Sequence, residues 1–124
     1  MSFACMATQR SKIAIALAAA TITSVFFLNY CNAVFQCGCQ GVWAQLDAHC
    51  NIHNPSGRHC PVCTLPIAGQ VGIWAMMVIP QVLLAFAKNS WSTGKRLVLS
   101  VSAFPVLGLV PMVGLGLLMG YWSN

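Results

Sequence analysis

Five cysteines and all three histidines of this 124-residue chain fall within one run, CGCQGVWAQLDAHCNIHNPSGRHCPVC, from Cys37 to Cys63. Cys37 and Cys39 form a Cys-x-Cys pair, Cys60 and Cys63 a Cys-x-x-Cys pair. Between them stand Cys50 with His49 beside it, then His53, then His59 beside Cys60. Both pairs have chelating spacing. Mixed thiolate and imidazole sets of this kind suit tetrahedral Zn²⁺, while Cu(I) and iron–sulfur centres also favour thiolates. The expected metal ligands are therefore Cys37, Cys39, Cys60 and Cys63, with Cys50, His49, His59 and His53 as alternates that complete the set. Thr64 follows Cys63, so the Cys-x-x-Cys-His required for covalent c-type haem is not present.

Two other chemistries compete for the same residues. With Cys31, which lies one or two turns below the run near the same membrane face, six cysteines gather at that face. That even number allows a disulfide scaffold in an oxidising compartment, and a loop with no core of its own gains from such staples. Disulfides give no role to the three interleaved histidines, which favours the metal. The remaining cysteine, Cys5, reads as an ordinary free thiol. In the second chemistry, Cys60-Pro61-Val62-Cys63 has the dithiol spacing of thiol oxidoreductases at the mouth of an apolar segment. In that respect the chain resembles the quinone-coupled disulfide-forming membrane proteins and the vitamin K epoxide reductases. The resemblance implies thiol–disulfide exchange at Cys60 and Cys63, although those proteins are four-helix bundles and this chain offers three spans. In size and cysteine usage it also resembles the small mercury-uptake membrane proteins, which implies soft-metal transport. The cysteine pair that those carry in their first span is missing from Ile13–Leu28.

The composition limits what such a site can belong to. Apolar residues make up 58% of the chain and charged residues 6%, against roughly 25% charged in soluble domains. The mean hydropathy is +0.75. Asp47 is the single acid, which excludes paired-carboxylate hydrolysis, oxygen cages for Ca²⁺ or Mg²⁺, and a metalloprotease with a glutamate base. The net charge of +5 is not a nucleic-acid signal, because the basic residues flank apolar segments instead of forming one patch. The class is all-α integral membrane protein.

Three uncharged stretches, 13–35, 65–87 and 97–122, each exceed the ~20 residues that a helix needs to cross a bilayer core. Residues 1–12 form an N-terminal segment, 36–64 the Cys/His-rich loop, 88–96 a short connection and 123–124 a tail. Arg10, Lys12, Lys88, Lys95 and Arg96 lie on one side and Arg58 alone on the other. The positive-inside rule then puts the N-terminus in the cytoplasm and the loop outside it, in a bacterial inner membrane or an equivalent organelle membrane. The first stretch also has the outline of a signal peptide, but its length favours a retained anchor.

Within the loop, Val42, Trp43, Leu46 and Cys50 recur at helical spacing and predict a short interfacial helix. Asn54-Pro55-Ser56-Gly57 predicts a turn that folds Cys60 and Cys63 back towards Cys50. In the spans, Ala14/Ala18, Ala16/Ala20/Ser24, Ala68/Gly72 and Gly116/Gly120 have the small-residue spacing of close helix contacts, and Gln70 and Gln81 are expected to bond between helices. Met76, Met77, Met112 and Met119 read as packing. Three short spans enclose little room for a substrate and carry no intramembrane ion carrier. The expected function is a small accessory subunit of a larger, electron-transferring membrane assembly, with lipid and other membrane subunits as partners and the loop as a docking or cofactor module.

Overall fold

A computed structural model describes residues 3–87 and 90–123; the Cys5 side chain and Lys88 lie outside what is described. The chain folds into three helices: α1 (Phe3–Phe35), α2 (Ile67–Phe86) and α3 (Thr93–Leu118). All three are long and apolar enough to cross a membrane, α1 over Thr8–Phe35. Helices are what such segments must form in lipid, where each peptide group has to find its partner within the segment. The α3 start is capped by Ser92, whose Oγ accepts from the Lys95 amide at 3.3 Å. The α2 start is closed by Gln70, whose Nε2 donates to the Leu65 carbonyl at 3.0 Å. Gln70 thus bonds within its own segment and not between helices.

Every pair of helices packs together. The α2–α3 connection is short, so these two run antiparallel, and the end of α1, the start of α2 and the end of α3 meet at one end of the bundle. Lys12, Lys95 and Arg96 stand at the other. Halfway along, one polar layer joins all three helices. Thr23 Oγ1 donates to Gln81 Oε1 at 2.7 Å, and Gln81 Nε2 donates to the Ser100 carbonyl at 3.0 Å. All three residues are fully buried. Pro80, Pro105 and Pro111 sit inside continuous helices. The Pro105 carbonyl takes a hydrogen bond from Tyr30 Oη at 2.7 Å, the kind of tertiary support that lets proline persist in a span.

The small residues divide between contact and exposure. Ala16 and Ala19 are buried, whereas Ala14, Ala18, Ala68 and Gly72 are exposed. At Gly116 a side chain would collide with Trp122 and Phe35, so this glycine admits the aromatic cluster that closes the site end of the bundle. Met77 and Met112 are fully buried, Met76 and Met119 half exposed.

The loop departs from the expected helix. Residues 42–49 form turns, with Gln45 (φ 68°) and Leu46 (φ 55°) in the left-handed region, which no right-handed helix accommodates. Its one helical piece is a single 3-10 turn at Asn51–His53. The apolar residues of this run have separate uses instead of one helical face: Trp43 packs edge-on against Phe26 of α1 at 5.5 Å, while Cys50 turns inward.

Candidate metal centre

The site starts inside α1, one of the helices long and apolar enough to span a membrane. Cys31 lies one turn before Phe35, the last residue of α1, on the same helix face, and both are buried. The chain then reverses at Gln36 (φ 50°) and Gly38 (φ 86°). The Gly38 amide donates to Asn32 Oδ1 at 2.8 Å, and a side chain at Gly38 would run into the His49 carbonyl. The residue between Cys37 and Cys39 is therefore glycine for two independent reasons, and its bend aims both thiols back at Cys31.

Asn51 ties the middle of the loop to this bend. Its amide donates to the Cys37 carbonyl at 2.7 Å. Its Oδ1 accepts from the Cys60 amide at 2.6 Å and its Nδ2 donates to Tyr121 Oη at 3.0 Å. Tyr121 Oη donates in turn to the Phe35 carbonyl at 2.7 Å. One residue, through its backbone amide and its side chain, thus joins the segments of Cys37, Cys50 and Cys60 to the ends of α1 and α3. At Asn54–Gly57 the chain bends, with the Ser56 amide donating to Asn54 Oδ1 at 3.1 Å. This bend returns the chain to Cys60, and a tight turn over Cys60–Thr64 (amide to carbonyl, 3.1 Å) presents Cys63.

Six thiols converge as a result. Cys31, Cys37, Cys39, Cys50 and Cys60 are buried and Cys63 half-buried. Cys31 Sγ stands 3.1 Å from Cys60 Sγ and 3.8 Å from Cys37 Sγ; Cys39 and Cys63 are 3.5 Å apart. Two overlapping groups, Cys31/Cys39/Cys60/Cys63 and Cys37/Cys39/Cys50/Cys60, have all their sulfurs within 4.8 Å of one another and can each hold a metal ion. Around an ion bound at about 2.3 Å, tetrahedral sulfurs are roughly 3.8 Å apart, close to these spacings. A disulfide, at about 2.05 Å, is not seen among the described cysteines.

The thiols also polarise one another. Hydrogen bonds from Cys31, Cys37 and Cys39 hold the Cys60 thiol down to about 4. Bonds from Cys31 and Cys39 bring Cys37 to about 7, and Cys63 is lowered by Cys31, Cys39 and Cys60. Burial pushes Cys50 up to about 12. A cluster in which some thiols already favour the anion offers ready donors to a soft cation.

Of the residues expected from sequence, Cys37, Cys39, Cys50, Cys60 and Cys63 come together. The histidines stand apart from both groups. His59 Nε2 meets the Asn54 carbonyl at 2.8 Å. His53 Nε2 lies 3.9 Å from Asp47 at the surface. His49 is exposed and contributes its carbonyl beneath Gly38. Cys31, Asn51 and Tyr121 are the participants that the motif reading does not include. Cys31 is legible only as the residue one turn before the end of the first span, on the face that meets the loop. Beside the cluster, Phe35 stacks on Trp122 and Tyr121 meets both edge-on, at ring distances of 5.2–5.6 Å, and Arg58 Nη1 donates to the Tyr121 carbonyl at 2.7 Å. Comparison with protein-family models, curated proteins and solved structures finds no match to this chain.

Proposed function

We propose that this three-helix membrane protein is a metal-carrying accessory subunit of a larger membrane assembly, with a thiolate metal centre where its loop meets the bundle. The observation that carries the reading is the convergence of buried thiols from a helix and from three separate loop segments. Uncharged stacking of so many weak hydrogen-bonders brings little stability, whereas thiolates on a common cation bring much. Zn²⁺ suits a closed four-thiolate site of structural type. Iron in the same set would add electron transfer, the role that a respiratory assembly would use. The basic bias at the opposite end of the bundle supports an extracytoplasmic position for the centre. The exposed small-residue face at Ala68 and Gly72, where a side chain at Gly72 would meet nothing within 4 Å, supports a neighbouring helix from another subunit.

The test is elemental analysis of the full chain, extracted gently and anaerobically without added reductant, combined with the native mass of the particle. The expected result is bound transition metal and a particle heavier than one chain in its micelle. A metal-free protein with a Cys31–Cys60 disulfide would overturn the metal in favour of thiol–disulfide chemistry. A monomer that retains its metal would overturn the subunit assignment alone.

A further inference from the structure

Six thiols converge where one tetrahedral ion takes four, and they form one compact body of sulfur. Cys39 and Cys60 belong to both ligand groups, Cys31 and Cys63 only to the first, Cys37 and Cys50 only to the second. Members of different groups also meet. Cys31 Sγ is 3.8 Å from Cys37 Sγ and 3.1 Å from Cys60 Sγ. The other pairs among Cys31, Cys37, Cys39 and Cys60 lie within 4.8 Å. These four are therefore a third tetrathiolate set, and it lies between the other two.

The three sets are linked in a definite order. Exchanging Cys63 for Cys37 converts Cys31/Cys39/Cys60/Cys63 into Cys31/Cys37/Cys39/Cys60. Exchanging Cys31 for Cys50 then gives Cys37/Cys39/Cys50/Cys60. One thiolate changes at each step, and Cys39 and Cys60 hold the ion throughout. Resting on the metal reading above, we infer that the centre holds one soft divalent cation that passes among these sets one thiolate at a time, held exchangeably and not locked in a single set.

Burial gives the path a direction. Of the described cysteines Cys63 alone is half-buried, whereas Cys37 and Cys50, which complete the last set, are 2% and 3% exposed. An ion therefore enters and leaves beside Cys63 and is withdrawn from solvent as it shifts towards Cys50. Each step conserves atoms and charge. One metal–sulfur bond breaks and one forms, while the entering thiol releases a proton and the leaving thiolate takes one up. The ion with its four thiolates keeps a net charge of minus two, so no step adds buried charge and no electron moves. The entering thiol already stands within reach, which makes every exchange intramolecular.

The test uses the full chain in detergent, reduced and stripped of metal, then titrated anaerobically with Cd²⁺ and weighed by native mass spectrometry, with ¹¹³Cd shifts to count sulfur ligands. One ion on four sulfurs is expected. The order of the sets makes an unequal prediction for variants that each lose two thiols. Cys50→Ser with Cys63→Ser spares the middle set and should keep one four-sulfur ion, which itself reports folding. Cys31→Ser with Cys37→Ser breaks all three sets, and metal content should fall to about a tenth or less, with amide protection of α2 and α3 reporting the fold. Should that pair unfold, Cys37→Ser with Cys63→Ser, which also breaks every set, takes its place. The ¹¹³Cd line of the unsubstituted chain should change width with temperature as exchange requires, and Cys37→Ser, which leaves only the first set, should give a line that does not. Cys63→Ser alone should keep its ion and release it to excess EDTA severalfold more slowly. Two bound ions, loss of the ion from the Cys50/Cys63 variant, or its retention by a folded variant with every set broken would overturn the overlapping sets and leave the metal reading standing. Equal line behaviour would overturn the movement, and unslowed release from Cys63→Ser the entrance. No Cd²⁺ on the unsubstituted chain would overturn the metal reading as well.

Discussion

Among the described residues, the polar layer at mid-bundle and the thiol cluster are built on opposite principles. The layer at mid-bundle, Thr23–Gln81–Ser100, is neutral, and its hydroxyl-to-amide and amide-to-carbonyl bonds fall at 2.7 and 3.0 Å. It locks three helices that are already helices, and each such bond in a membrane protein contributes about 0.6 kcal/mol. The thiol cluster draws most of its members from a loop that has no regular structure of its own beyond one 3-10 turn. Its internal bonds are weak thiol contacts of 3.1–3.8 Å, poor compensation for ordering about thirty residues of loop. The first cluster satisfies both ends of the Gln81 amide and leaves only the Ser100 hydroxyl without a partner. The second would gain stability from a cation that replaced its protons.

The contrast breaks most sharply at the shared cysteines. Cys39→Ser and Cys60→Ser each remove a residue common to both ligand groups, and metal content is expected to fall to about a tenth or less. Structural thiolate zinc contributes on the order of 10 kcal/mol, so amide hydrogen exchange over 36–64 should rise to that of an open loop while α2 and α3 keep their protection. Retention of metal by both variants would mean that the two clusters differ less than their chemistry suggests.

A smaller effect is expected at Asn51, which touches no metal and orients the segments that would. Asn51→Ala removes the acceptor of the Cys60 amide and should weaken metal affinity by roughly 10- to 100-fold, read by competition against a chromophoric chelator. Asn51→Asp keeps the acceptor and loses only the donor to Tyr121, so it should fall between the two. If the alanine variant binds as tightly as the original, the loop is positioned by the thiols alone.

Gln81→Leu tests the other cluster. A loss of about 0.6–1.7 kcal/mol in bundle stability, measured by unfolding in mixed micelles, should come with unchanged metal content. Metal lost together with stability would show that the two clusters are one cooperative unit. The smallest effects belong to the histidines. His53→Ala and His59→Ala should each leave metal content unaltered and change stability by no more than about 0.5 kcal/mol, as for exposed side chains away from the core. Loss of metal from either variant would restore imidazole to the ligand set.

Much of this was legible in the residues. Uncharged stretches of more than twenty residues admit one backbone solution in lipid, so the three helices follow from composition and length. Cys-x-Cys and Cys-x-x-Cys separated by a Pro/Gly turn bring their pairs together for reasons equally local. Less legible were Cys31, which the sequence counts towards a disulfide scaffold but not among the metal ligands, and Asn51, whose three hydrogen bonds reach residues far apart in sequence. The helical spacing of Val42, Trp43, Leu46 and Cys50 misled because spacing reports which residues are apolar, not whether they share a surface. Trp43 and Cys50 are drawn to different neighbours, and the left-handed Gln45 and Leu46 lie between them.

The sequence by itself determined that the chain carries three helices long and apolar enough to span a membrane and that most of its cysteines sit in one loop, because hydropathy and residue spacing act locally and need no partner. Only the tertiary structure decided which sulfurs meet, that a span contributes one of them, and that the histidines turn away. Those outcomes depend on where the ends of α1 and α3 stand relative to the loop. Bonds such as Asn51 to Tyr121 and Tyr121 to Phe35 join residues that no local pattern pairs, and they form only when all three helices are in place.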